Sequence, residues 1–341
     1  PHGVSYDKIL KEAEMQLFDE TDVPKGIAPT KALLENLFCT VVSIDAKVPL
    51  IIVGPPGCSK TLSFKIAIDN MKGKQSIKDL YKTLCYAHPF RYQCSTASTD
   101  KEIEGAYISA ERRQNEYNKA EGKDSSQRCV VLLDEAGLPD EEKAPLKVLH
   151  YKLEHPVVSS ILLSNNVLDA AKTNRLAMLV QDTDENDLEE LAWGCIYGVS
   201  KEESKDKVKD REEVKKKIIG LCSAFKAVQK GRYEKGRKEK KLCPIKNYFH
   251  LRDFVYFLRY LSRERKRTGS CCTEGAIERA ARRNFGGLSE EGFCAVLDIF
   301  FEKLGFECRC ADGNYKLRTS PIKSLKENLG EKFSDDEDPN I

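Results

Sequence analysis

The 341-residue chain has no run of eighteen or more apolar residues, so no stretch of it is long enough to span a bilayer as a helix. Its opening residues lack the basic and apolar pattern of a signal peptide. Excess charge is missing too. With 56 basic against 54 acidic side chains the net charge is +2, which argues against a dedicated nucleic-acid binder. Zinc-finger spacing is absent: the 13 cysteines include no C-x-x-C pair. No histidine stands at ligand spacing from the close pairs Cys271-Cys272 and Cys308-x-Cys310. Free thiols buried in a reducing cytosol account for these cysteines, and a cytoplasmic protein is expected. The chain opens on Pro1-His2-Gly3 without an initiator methionine and reads as an excerpt of something longer. It has no internal repeat.

What is present centres on Pro49 to Asp69. Leu50, Ile51, Ile52 and Val53 are apolar and mostly β-branched, as a strand buried on both faces of a parallel sheet requires. They run into Gly54, Pro55, Pro56, Gly57, Cys58 and Ser59, followed by Lys60-Thr61 and a helical pattern. Strand, glycine loop, Lys-Thr and helix is the context of a phosphate-binding P-loop. Backbone N–H groups close around phosphate oxygens, and the helix N-terminus adds partial positive charge. Lys60 then reaches the β- and γ-phosphates and the Thr61 hydroxyl ligates Mg²⁺, so ATP and Mg²⁺ are the expected cofactors. Where the P-loop pattern has a glycine before its lysine, this chain has Ser59, whose Cβ threatens to crowd the loop.

Along the chain, residues 1–20 read as a leading amphipathic helix and 21–198 as an α/β nucleotide-binding domain. Residues 199–310 read as a small all-helical lid, and 311–341 as a linker with an acidic tail. Within the α/β part, helices are expected over 31–42 and from the Ser98-Thr99-Asp100 cap to about Lys119. Strands are expected at 90–95, 129–135, 160–165 and 177–181, with helices at 145–153 and 168–176. Alternation at this spacing implies a doubly wound parallel sheet. The lid pattern gives helices near 204–230, 249–266, 273–284 and 289–304, and the basic run 230–241 reads as a solvated loop.

Asp134-Glu135 closes an apolar run, so both carboxylates emerge at the C-terminal end of a strand, where ligands of open α/β sheets bind. Downstream of a P-loop, Asp134 is placed to hold Mg²⁺ and Glu135 to polarise the attacking water. Asn165 ends the next strand and offers a polar side chain to that water or to the γ-phosphate.

These motifs resemble those of AAA+ ATPases, and in particular the modules of the mysterin family of giant RING-finger ubiquitin ligases. The resemblance is carried by Val23 to Ala28, Val53 to Thr61, Gln93-Cys94-Ser95 with Ser98-Thr99, and Leu133 to Leu138. It continues through Pro145 to His150, Ser164 to Asp169, Leu251 to Phe254, and Arg283 to Gly287, spanning about residues 20–325. Ser59 is shared with this branch. By position, the resemblance implies that Gly26-Ile27 brackets the adenine and that Asn165 is sensor 1. It implies that Arg175 is an arginine finger acting in trans and that Arg252 is sensor 2, with Arg283 as the alternative. Neighbouring AAA+ modules of the same polypeptide, and ubiquitin machinery reached through the parent protein, are the implied partners. Departures are a short 153–159 segment and Ala170 where proline is expected. No segment resembles a RING, so ligase chemistry is not expected in this stretch. A nucleotide-locked scaffold that hydrolyses poorly is the rival reading. A pure interaction module and a nucleic-acid remodeller follow it.

Overall fold

The computed structural model describes residues 5–24, 26–122, 125–140, 145–169, 173–181, 185–198, 208, 210–230, 232–235, 238–241, 249–288 and 290–307. The expected strand at 160–165 and the expected lid helices at 249–266 and 273–284 lie within these bounds, while residues 204–207, 209 and 289 of the other two expected lid helices lie outside them. Residues 170–172 of the expected 168–176 helix, residues 1–4 of the expected leading helix and the 311–341 tail also lie outside the described residues.

Helix α1 (Tyr6–Asp19) leads into α2 (Lys31–Ala46), whose N-cap Thr30 accepts a bond from the Leu33 N–H at 3.3 Å. Then come β1 (Leu50–Val53), α3 (Lys60–Asn70), a short α4 (Asp79–Lys82) and β2 (Tyr86–Gln93). Helix α5 (Asp100–Glu121) starts with a full capping box: Thr99 takes the Glu102 N–H, and Glu102 takes the Thr99 N–H. Strand β3 (Gln127–Asp134), helix α6 (Leu149–Glu154), β4 (Ser159–Ser164) and β5 (Ala177–Val180) complete the α/β part.

The five strands are parallel in the order β2-β3-β4-β1-β5. Strand β4 therefore sits between β1 and β3, and the crossover opens a crevice beyond the C-terminal ends of these three. Period-two alternation fills both faces. Leu50, Ile52, Val130, Leu132, Ile161 and Leu163 pack with α2 and α3, while Ile51, Val53, Val131, Leu133 and Leu162 pack with α5 and α6. Ile51 and Ile52 have no exposed surface, and each such burial contributes roughly 1.5–3 kcal/mol.

A second core is helical. It is built by α7 (Glu185–Tyr197), α8 (Arg211–Lys230), α9 (Leu251–Thr268), α10 (Glu274–Phe285) and α11 (Glu290–Leu304). Phenylalanines dominate it, with Phe225 stacked on Phe254 at 4.5 Å and Phe257 on Phe300 at 4.7 Å. Two features differ from the sequence expectation. Leu188, Ala192, Trp193 and Ile196 of α7 lie in this helical core, so the helical body begins before the composition change near Gly198. The basic run holds a two-stranded antiparallel hairpin, β6 (Arg232–Lys235) with β7 (Lys238–Lys241), in place of a plain loop.

The two bodies meet closely. A Cβ on Gly194 of α7 would lie 2.5 Å from Ala28 Cβ, so only glycine lets this helix dock on the Ala28 loop. Beside it, Asp187 Oδ1 accepts the Lys31 N–H at 2.7 Å and satisfies a free donor at the start of α2.

Candidate nucleotide site

Strand β1 delivers the chain into Gly54–Ser59, and α3 begins at Lys60. Gly57 has φ +95°, and a Cβ there would lie 2.9 Å from the Arg252 N atom, so the loop passes directly under the start of α9. Ser59 adopts φ +63° and ψ 15°, the left-handed conformation that its side chain disfavours by about 1–2 kcal/mol. Its Cβ is thus accommodated, at the cost of backbone strain. Lys60 is nearly buried, and its Nζ donates to the Gly54 carbonyl at 2.6 Å, the Pro55 carbonyl at 3.1 Å and Asn165 Oδ1 at 3.0 Å. Burial pushes the neighbouring Cys58 thiol up, against the pull of Lys60, so it stays a neutral S–H.

Parallel register carries the other groups to the same edge. Val53 is level with Ser164, and Leu133 with Leu162, so the residues just beyond each strand converge. The Thr61 hydroxyl faces Asp134 Oδ2 at 3.5 Å. Glu135 has φ +55°, and its N–H bonds to Asp134 Oδ1 at 3.0 Å. Its Oε2 accepts from Asn165 Nδ2 at 2.8 Å. Asn165 therefore joins the P-loop lysine to the carboxylate. A hydroxyl and a carboxylate at this spacing are the hard oxygen donors that suit Mg²⁺, and the lysine beside them suits a polyphosphate. Burial, reinforced by the charges of Asp134 and Glu135, pushes the Cys94 thiol up to about 12. Among the described residues the cysteines are free, and no group of three or more His, Cys, Asp and Glu side chains forms a metal cluster.

The remaining expected site residues are spread more widely. Gly26 has φ +85°, and Ile27 packs against the core that α2 and α3 share. Arg252 sits in the first turn of α9 beside Gly57, whereas the Arg283 guanidinium lies over the Tyr260 ring at 5.9 Å. Arg175 Nε donates to Glu154 Oε1 of α6 at 2.6 Å and holds that carboxyl below its ordinary range. The structure thus gathers Lys60, Thr61, Asp134, Glu135 and Asn165, with Arg252 at the rim and Arg175 paired on another element.

Two polar residues that sequence reasoning did not select also reach the loop. Asn36 Nδ2 donates to the Cys58 carbonyl at 2.8 Å, and Gln181 Nε2 donates to Asn36 Oδ1 at 3.0 Å. The available signal was an asparagine set among Leu33, Leu34, Leu37 and Phe38. Nothing in the sequence marked Gln181.

Residues 26–188 match the family model described as the RNF213 AAA domain. The chain carries an AAA module of the RNF213 type. It is 32% identical to human E3 ubiquitin-protein ligase RNF213 over 95% of this chain, and 31% identical to the mouse protein over 89%. A Dictyostelium discoideum protein, named as transmembrane and uncharacterized, is 34% identical over 88% of this chain. The chain spans only 5–6% of the length of these relatives. No helix among the described residues is long and apolar enough to cross a membrane. A solved structure of Rhizobiales Trip13 aligns over 80% of this chain and 83% of its own, at 14% identity and a TM-score of 0.40. The parallel sheet and helical body of the RNF213-type module are the α/β architecture that its motifs predict.

Proposed function

We propose that this RNF213-type module binds ATP with Mg²⁺ and hydrolyses it, and that the cycle drives conformational change within a larger, cytoplasmic ubiquitin ligase. The observation that carries the reading is the convergence of Lys60, Thr61, Asp134, Glu135 and Asn165 on one sheet edge. Lys60 and the loop amides hold the phosphates, and Thr61 and Asp134 hold the metal, whose role is to neutralise charge on the transferring phosphoryl group. Glu135 takes the proton of the attacking water, and Asn165 orients both. Gly26-Ile27 lines the adenine, Arg252 senses the nucleotide from α9, and Arg175 serves the site of a neighbouring module.

A second reading, a nucleotide-locked scaffold, is favoured by the Asn165–Glu135 bond, because an amide N–H donated to Oε2 lowers the basicity of the carboxylate toward a water. Both readings require nucleotide binding. Titration calorimetry of ATP with Mg²⁺ into the chain and its Lys60→Ala variant tests that requirement. The expected result is saturable binding by the wild type and at least tenfold weaker binding by the variant, with an unchanged melting transition. Equal affinities in two folded proteins would remove the P-loop from the account.

A further inference from the structure

Ser59 occupies a left-handed position that P-loops give to glycine, so this chain needs another means of holding the loop there. A buried string of amides supplies it. Asn36, on α2, has no exposed surface, and its Nδ2 donates to the Cys58 carbonyl at 2.8 Å. Its Oδ1 accepts from Gln181 Nε2 at 3.0 Å, and the same Nε2 lies 3.0 Å from Glu35 Oε2. Gln181 is itself tied to β1 through its N–H to the Val53 carbonyl at 2.7 Å. A Cβ on Gly54 would lie 2.9 Å from Gln181 Cβ, so Gln181 also packs against the start of the loop.

The bond to Cys58 bears directly on Ser59. The two residues share one planar trans peptide, in which C=O and N–H point in opposite directions. With the Cys58 carbonyl drawn toward α2, the Ser59 N–H points away from α2. We propose that Asn36 is a positioning residue for the phosphate loop, pinning the Cys58–Ser59 peptide so that the strained Ser59 presents its N–H to a nucleotide phosphate. Gln181 orients the Asn36 amide so that its nitrogen, not its oxygen, meets the carbonyl. The inference rests on the nucleotide-binding reading of the P-loop.

The test measures the affinity of the 341-residue chain for ATP with Mg²⁺, alongside its melting temperature. Asn36→Leu keeps the volume and removes the donor, and it is expected to weaken binding by roughly 5- to 100-fold. Asn36→Ser places its donor too far from the carbonyl, carries the same expectation and serves if the leucine variant does not fold. Val41→Ala, a core change on the same helix, is expected to lower the melting temperature and leave the affinity unchanged. The deciding variant adds Ser59→Gly to the Asn36 substitution. Glycine adopts the left-handed conformation without penalty, so the double variant is expected to regain most of the lost affinity, which a packing role for Asn36 would not allow. Wild-type affinity in the Asn36 variants, or no recovery on adding Ser59→Gly, overturns the inference while the P-loop reading stands. Absence of binding by the wild type overturns that reading, and the inference with it.

Discussion

Asn165 donates from Nδ2 to Glu135 at 2.8 Å and accepts at Oδ1 from Lys60 at 3.0 Å, so one amide spans the gap between the P-loop and the end of β3. Such a bridge is possible because β4 lies between β1 and β3, a placement that only the non-sequential strand order provides. Removing it separates binding from chemistry. Asn165→Ala is expected to lower ATP hydrolysis by roughly 10²-fold while changing ATP affinity far less. Parallel turnover and binding assays decide this, and an equal loss in both would make Asn165 a binding residue only.

Arg175 is held by Glu154 at the end of α6, with its side chain 28% exposed. A residue that serves a neighbouring site is dispensable for its own. Arg175→Ala is therefore expected to leave ATP affinity of this chain unchanged. In the full-length parent it is expected to depress turnover at the adjacent site by about 10³-fold or more. Full hydrolysis by a dilute monomer of this chain would make the arginine a structural partner of Glu154.

Glu14 is buried between α1 and α2, and burial, with the nearby Glu35 carboxylate, raises its pKa. The folded state thus holds its proton over a pH range in which the unfolded chain has lost it. Stability from this group is present below the ordinary glutamate range and is lost as pH rises through the raised value. Glu14→Gln is expected to melt higher than the wild type at pH 7, with the gap closing toward pH 4. Thermal melts across that range check it, and a gap that widens on acidification would contradict the assignment.

Much of this was legible in the sequence because local chemistry and the global fold agree. Leu50 to Val53 is too short and too β-branched to be anything but a buried strand, and Ser98-Thr99-Asp100 announces α5. Asp134 and Glu135 were readable as the end of β3 because a buried strand must end where its polar residues begin. The start of the helical body was not readable. Residues 185–197 carry four acidic side chains before an apolar run, a pattern that fits a helix of either body, and only packing of Trp193 and Ile196 against α8 and α9 assigns them. The hairpin at 232–241 was hidden by its charge, which reads as solvated whatever the backbone does. Asn36 was hidden for a different reason: what it bonds is a main-chain carbonyl, which no residue identity encodes.

The claim that this is a hydrolysing module meets its most direct test in the Glu135→Gln variant. In the full-length protein, binding and turnover of ATP with Mg²⁺ are measured for the wild type and the variant. The account predicts that the variant binds ATP as tightly as the wild type and hydrolyses it at this site roughly 10²–10⁴-fold more slowly, retaining intact ATP after a chase. Equal hydrolysis at this site in the two proteins would contradict it and leave a nucleotide-locked scaffold.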